Sequence, residues 1–210
     1  MISVLDYGCG NIGSIVNMLR RVGQPSTVIR TPEEVLRSQK LILPGVGAFD
    51  TGITYLRQGS FQEALEERVL RQGIPLLGVC LGMQLLLEAS EEGQQPGLGW
   101  VPGRAVRFQF APAEKLRVPH MGWTQVHAAP GAKLFEQTDE PSRFYFAHSY
   151  RATQVPESWA AAHADYGGRF VCALQKDNIY ATQFHPEKSH RHGMELLKRF
   201  AENGNCSSPA

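Results

Sequence analysis

The sequence predicts an α/β fold: a central, mostly parallel sheet flanked by helices, with additional antiparallel strands in the C-terminal half. Three observations lead there. Short apolar runs alternate with segments of helical periodicity as far as Ala89, glycine turns separate the two, and from Gly97 onward the texture changes to short β-rich segments joined by Gly and Pro turns. Such alternation argues for a parallel sheet with helices over both faces, and ligands of such sheets lie beyond the carboxyl ends of the strands.

Residues 1–6 form the first apolar run, and after Tyr7-Gly8 the apolar Ile12, Ile15, Val16, Leu19 and Val22 recur at helical spacing up to Gly23. Residues 26–30 read as a second strand. Thr31-Pro32-Glu33-Glu34 then supplies an N-cap, a proline at the first helical position and a capping-box glutamate. A third strand, 40–43, runs into Pro44-Gly45-Val46-Gly47, after which Ser60 with Glu63 is expected to cap a helix through Leu70. The fourth strand, 74–79, ends at Cys80, and a helix is expected over 83–89. In the second half strands are expected near 104–110, 143–150 and 170–175. Lys176-Asp177-Asn178 reads as a hairpin turn leading into 179–184, and a last helix spans roughly 193–203. No composition break marks a linker, so residues 1–204 are expected to form a single domain, with 205–210 a disordered tail.

Composition bounds the function. A net charge of +1, with no run of Lys and Arg, gives no footprint for nucleic acid or an anionic membrane surface. No apolar stretch approaches the length of a membrane span and the chain starts on a strand-like segment, so a soluble, cytoplasmic protein is expected. The four cysteines, Cys9, Cys80, Cys172 and Cys206, form no CxxC pair, and no metal or cofactor is expected.

Gly8-Cys9-Gly10-Asn11-Ile12-Gly13 matches the dinucleotide fingerprint G-x-G-x-x-G between a strand and a helix. The acidic residue that fingerprint wants after the second strand is replaced by Arg30, which would instead suit a 2′-phosphate. A tight strand-to-helix junction requires the same glycines, and that is the preferred reading.

Gly78-Val79-Cys80-Leu81-Gly82 has the form of a nucleophile elbow, a sharp strand-to-helix turn whose glycines admit neighbouring backbone. Free N–H groups at the start of the following helix favour a thiolate there. A lone cysteine on an apolar background is otherwise an inert core thiol. A second signal decides between them: Phe184-His185-Pro186-Glu187. Pro186 pushes His185 towards extended geometry, which projects residues two apart to the same side, so Glu187 can orient the His185 ring while its other nitrogen faces the sulfur. His190 and His192, separated by Arg191, read as a solvated helix start rather than a metal site. His120 and His148, in aromatic surroundings, are either core or cleft.

Taken together, Gly78-Val79-Cys80-Leu81-Gly82-Met83-Gln84, Pro44-Gly45-Val46-Gly47 and His185-Pro186-Glu187 resemble the class I, or triad, glutamine amidotransferases. Within them the chain is most similar to the glutaminase subunits of imidazole glycerol phosphate synthases. Four segments bear that similarity: Asp6-Tyr7-Gly8-Cys9-Gly10-Asn11, Pro44 to Phe49, Pro119-His120-Met121-Gly122-Trp123 and Gln183 to Ser189. The resemblance implies the class I glutamine amidotransferase fold and a Cys80, His185, Glu187 triad, with oxyanion donors at Val46 and Leu81. It implies glutamine binding by Gln84 and the backbone near Gly47, His148 and Ser149. It also places Asn11, His120, Met121, Trp123, Tyr145 and Lys188 on a face docking a (β/α)₈-barrel cyclase in a heterodimer. That cyclase would use the ammonia to make imidazole glycerol phosphate and aminoimidazole carboxamide ribotide in histidine biosynthesis. Residues outside the triad distinguish this from subunits serving the pyridoxal phosphate, anthranilate or GMP pathways. From a different class, a non-catalytic module using the glycine turn for a nucleotide is the alternative.

Overall fold

The structure, a computed structural model, describes residues 1–136 and 141–203; the expected tail and residue 204 lie outside them. Strand β1 (Ile2–Leu5) leads through the Gly8 to Gly10 turn into helix α1 (Ile12–Arg21), and β2 (Ser26–Ile29) into α2 (Pro32–Arg37). The capping box forms: Glu34 N–H donates to the Thr31 hydroxyl, and Thr31 N–H to the Glu34 carboxylate. Strand β3 (Leu41–Gly45) is followed by α3 (Phe49–Gln58) and α4 (Phe61–Leu65), and β4 (Leu76–Cys80) by α5 (Leu81–Leu85). Then come β5 (Leu87–Ser90), β6 (Val101–Arg107), β7 (His120–Ala128), β8 (Ser142–His148) and β9 (Tyr150–Thr153). The chain ends with β10 (Ala160–Asp165), β11 (Arg169–Lys176), β12 (Ile179–Thr182) and α6 (His190–Glu202).

The main sheet has the order β2-β1-β3-β4-β12-β11-β10-β7-β8. From β2 to β12 the pairs are parallel, and from β12 to β8 antiparallel, as the change of sequence texture after Gly97 predicts. Alternation along the buried strands divides the core in two. Leu41, Leu43 and Leu76 meet Phe49, Ile53, Leu56 and Leu65 on one face, while Ile42, Leu77 and Val79 meet Ile15, Leu19, Leu197 and Phe200 on the other. Buried Lys40 donates its ammonium protons to the Phe200, Ala201 and Asn203 carbonyls, holding the C-terminal end of α6 to the sheet. Among the described residues no helix is long and apolar enough to cross a membrane.

Several expected elements are corrected. Ser60 adopts a left-handed conformation (φ 54°) with no side-chain cap, and the expected helix through Leu70 is α4 followed by a π-helical turn, Glu66–Arg71. Helix α3 precedes it, unanticipated although Phe49, Ile53 and Leu56 have helical spacing. The helix expected over 83–89 begins earlier and ends at Leu85. The Leu85, Leu86, Leu87 and Glu88 carbonyls accept from the N–H groups of residues 97–101, so tertiary hydrogen bonds take acceptors that a longer helix would use. Helix α6 starts at His190 rather than Gly193: a Cβ on Gly193 would overlap the Pro186 carbonyl, so this glycine admits backbone inside the first turn instead of marking the helix start. The segment 143–150 is two strands broken at Ser149, and β7 and β10 add antiparallel strands that sequence patterning missed.

Candidate active site

Cys80 is the last residue of β4, and register brings its neighbours to it. Gly45 at the end of β3 pairs with Cys80, while on the other side Thr182 pairs with Val79, which carries the chain through Gln183 to His185 at the same end of the sheet. Backbone dihedrals of φ 55° and ψ −107° at Cys80 form the sharp turn that the elbow motif predicts. A β-carbon on Gly82 would overlap the Leu43 carbonyl oxygen, and one on Gly45 would lie 2.7 Å from the Gly82 nitrogen. Both glycines therefore serve close packing of the β3 end against the elbow. Behind them, Tyr7 donates its hydroxyl to the Pro44 carbonyl (2.9 Å), and Gly10 lies against the Pro44 ring. The Gly8 to Gly13 turn is thus packed on the segment beside Cys80, and Arg30 pairs with Asp6 at 2.9 Å.

His185 Nδ1 lies 2.8 Å from Glu187 Oε1, both side chains being buried. The backbone holds this pair firmly. His185 N–H donates to the Tyr145 carbonyl, Ser189 donates its hydroxyl to the His185 carbonyl at 2.6 Å, and Tyr145 N–H donates to Ser189 Oγ. Burial alone would lower the His185 pKa, but hydrogen bonds to Cys80 and Glu187 and the charges of both groups outweigh it and raise the pKa to about 10. The imidazolium is the form this setting favours. Burial raises the thiols of Cys9 and, further, of fully enclosed Cys172.

The cleft beside Cys80 has a volume of about 390 Å³. Val46, Gly47, Leu81, Gln84, His148 and Ser149 all line it, so every residue expected at an oxyanion hole or glutamine site borders one cavity with Cys80 and His185. Glu92 also lines it, a carboxylate that motif reasoning missed because it follows the elbow in no recognisable pattern. It accepts from Phe49 N–H at 2.9 Å.

Met121 and Lys188 lie at the mouth of the cleft. Met121 is 63% exposed, Trp123 40% and Val46 42%. Trp123 stands edge-on to Tyr145 and stacks on His190, with the Lys188 ammonium over the Tyr145 ring. Asn11 is half-buried at the start of α1. His120 corrects the expected docking face: it is 1% exposed, with Nδ1 3.0 Å from His148 Nε2 and Nε2 2.8 Å from the Thr124 hydroxyl. Its imidazole is enclosed because β7 pairs with β8 in the register His120 to His148, leaving Met121 and Trp123 outside. Among the described residues no cluster of three metal-ligating side chains occurs.

Burial holds both histidines of this pair neutral, His120 at about 4 and His148 at about 3. A folded-state pKa below the unfolded value of 6.5 means that the unfolded chain binds more protons as pH falls below 6.5, so stability declines towards acid. Denaturant titrations at stepped pH should show this loss, and His148→Gln should reduce its slope by up to about 1.4 kcal/mol per pH unit. For His185 the sign is opposite: its contribution is present below 6.5 and is lost as pH rises through about 10.

The family described as "Glutamine amidotransferase class-I" matches residues 3–203. A Bdellovibrio bacteriovorus protein named "Imidazole glycerol phosphate synthase subunit HisH" is 45% identical over 203 residues, covering 96% of this chain and 100% of the relative. The "Imidazole glycerol phosphate synthase subunit HisH 2" of Pseudomonas aeruginosa is 46% identical over 202 residues, covering 96% and 99%. Among solved structures, "Crystal structure of glutamine amidotransferase" superposes with a TM-score of 0.75 at 20% identity, covering 96% of this chain and 97% of that one. "Structure of PurLQS from Thermotoga maritima" gives 0.72 at 14% identity, with the same coverage. These two similarities concern the fold.

Proposed function

The chain belongs to the class I glutamine amidotransferases, and from that premise we propose that it is the glutaminase subunit of an imidazole glycerol phosphate synthase. The observation that carries this reading furthest is His185, held at 2.8 Å by buried Glu187 and lining with Cys80 a cleft that also borders Gly47 and Gln84.

Cys80 thiolate attacks the δ-carbonyl carbon of glutamine. The oxyanion is met by two backbone N–H groups, those of Leu81 and Val46, while Glu187 keeps His185 oriented and stabilises its positive charge. His185 then gives its proton to the departing nitrogen, ammonia leaves and a γ-glutamyl thioester remains. Water, deprotonated by His185, attacks the thioester and releases glutamate and the thiolate. Gln84, with backbone at Gly47, His148 and Ser149, holds the substrate's amino-acid end, and the Glu92 carboxylate suits its ammonium group.

Ammonia released into neutral water is protonated and stops being a nucleophile, so a cyclase must receive it under cover. The (β/α)₈-barrel cyclase docks on the face bearing Met121, Trp123, Tyr145 and Lys188, with Asn11 at its margin. It converts the ammonia and a phosphoribosyl-formimino intermediate into imidazole glycerol phosphate and aminoimidazole carboxamide ribotide. The exposed apolar Met121 and Trp123 beside the cleft suit such a partner.

Val46, Gly47 and Ala48 are exposed beyond the last paired residue of β3, so docking at the cleft mouth bears directly on an oxyanion donor. Loss of one such donor costs on the order of 10²-fold or more in rate. The isolated chain should therefore turn over glutamine slowly, and adding the cyclase with its ligand should raise glutamate release by at least about 10²-fold. A coupled glutamate assay with and without the partner tests this; strong unaided activity would count against it.

A further inference from the structure

Resting on that reading, we propose that the Gln183 side-chain amide is a catalytic hydrogen-bond donor to the Cys80 sulfur, aimed by Gln84. Gln183 is fully buried beside Cys80, its backbone fixed by donation from its N–H to the Cys172 carbonyl at 2.9 Å. Its side-chain Nε2 lies 3.8 Å from Cys80 Sγ. The opposite orientation of the amide would turn an oxygen to the sulfur and would repel a thiolate, so the orientation decides the function.

The surrounding hydrogen bonds fix it. The Tyr150 carbonyl can only accept. His148 Nδ1, 2.7 Å away, and the Gln84 amide, 3.2 Å away, both face it, so each must present an N–H. The Gln84 nitrogen is therefore the atom that also faces Gln183, at 3.0 Å. Its partner there must be the Gln183 oxygen, leaving the Gln183 N–H groups towards Cys80. One backbone carbonyl thus orients two buried amides in succession. A neutral thiol accepts such a bond weakly; a thiolate accepts it as a charge-assisted bond. The donor adds to the one supplied by His185, and it remains after His185 has given its proton to the leaving nitrogen. Before attack, and again when the thioester releases the sulfur, Gln183 steadies the negative charge on sulfur with no proton transfer of its own; in between, the sulfur is bonded to the acyl carbon and is uncharged.

The test is the pH dependence of Cys80 alkylation by iodoacetamide in the full chain, followed by peptide mass, for the original protein and for Gln183→Leu and Gln183→Met. Both variants are close in volume to glutamine and lack a donor. Circular dichroism reports whether each folds. The proposal expects the midpoint for Cys80 to move to higher pH by about one unit in a folded variant, about a tenfold slower reaction below it. An unchanged midpoint in a folded variant overturns it. Failure of both variants to fold also overturns it, because Gln183 would then serve the core rather than the sulfur. Should Cys80 of the original protein react no faster than Cys9 and Cys172, and indifferently to glutamine, the glutaminase reading itself fails and this inference falls with it.

Discussion

Cys80→Ala should abolish glutamine-dependent synthesis by the complex, lowering the rate by at least about 10⁴-fold, while synthesis from added ammonium salt continues. The division follows from where the residue sits. Cys80 ends β4 and lines the cleft, and its small side chain belongs to the buried apolar cluster that includes Leu77 and Val79. Alanine keeps the β-carbon and can occupy the same backbone turn, so docking and the cyclase site are left as they were. With no sulfur, neither the thioester nor its ammonia forms. Assays of the reconstituted pair with each nitrogen source separate the two activities. Loss of both would refute the division of labour between subunits.

The second large effect concerns Glu187. Its Oε1 accepts from the His185 Nδ1–H at 2.8 Å, and its Oε2 has no hydrogen-bond partner among the described residues. Glu187→Gln keeps the volume and removes the charge. The amide can turn its nitrogen towards His185, which selects the wrong tautomer, or its oxygen, which leaves the imidazolium without a counter-charge. Either way kcat should fall by about 10²- to 10⁴-fold, with KM for glutamine changed little because Glu187 does not line the substrate cleft. The activity lost should be accompanied by a lower His185 pKa, measurable by NMR titration of the ring. A variant with normal kcat would remove Glu187 from the mechanism.

Local chemistry made the centre of the site legible in the sequence. Gly78, Cys80 and Gly82 lie within one turn, and His185, Pro186 and Glu187 are adjacent, so steric and hydrogen-bonding needs appear directly as spacing. Alternation of strand and helix likewise exposed the parallel half of the sheet. What stayed hidden depends on tertiary contact. Glu92 reaches the cleft from the loop after β5, and Gln183 acquires its orientation only through Gln84 and Tyr150, far away in the chain. His120 was misread as a docking residue because its fate depends on the cross-strand pairing with His148. The short α5 shows the same lesson in backbone form. Residues 83–89 have good helical character, yet the N–H groups of 97–101 claim the carbonyls and turn Leu87–Ser90 into a strand.

The central claim is that Cys80 is the nucleophile for glutamine. Incubation with an electrophilic diazoketone analogue of glutamine, followed by peptide mass mapping, tests it most directly. The expected result is one label per chain, on Cys80, with saturating glutamine preventing it and His185→Ala slowing it severely. Label found on Cys9 or Cys172 instead, or label on Cys80 that glutamine does not prevent, would contradict the account.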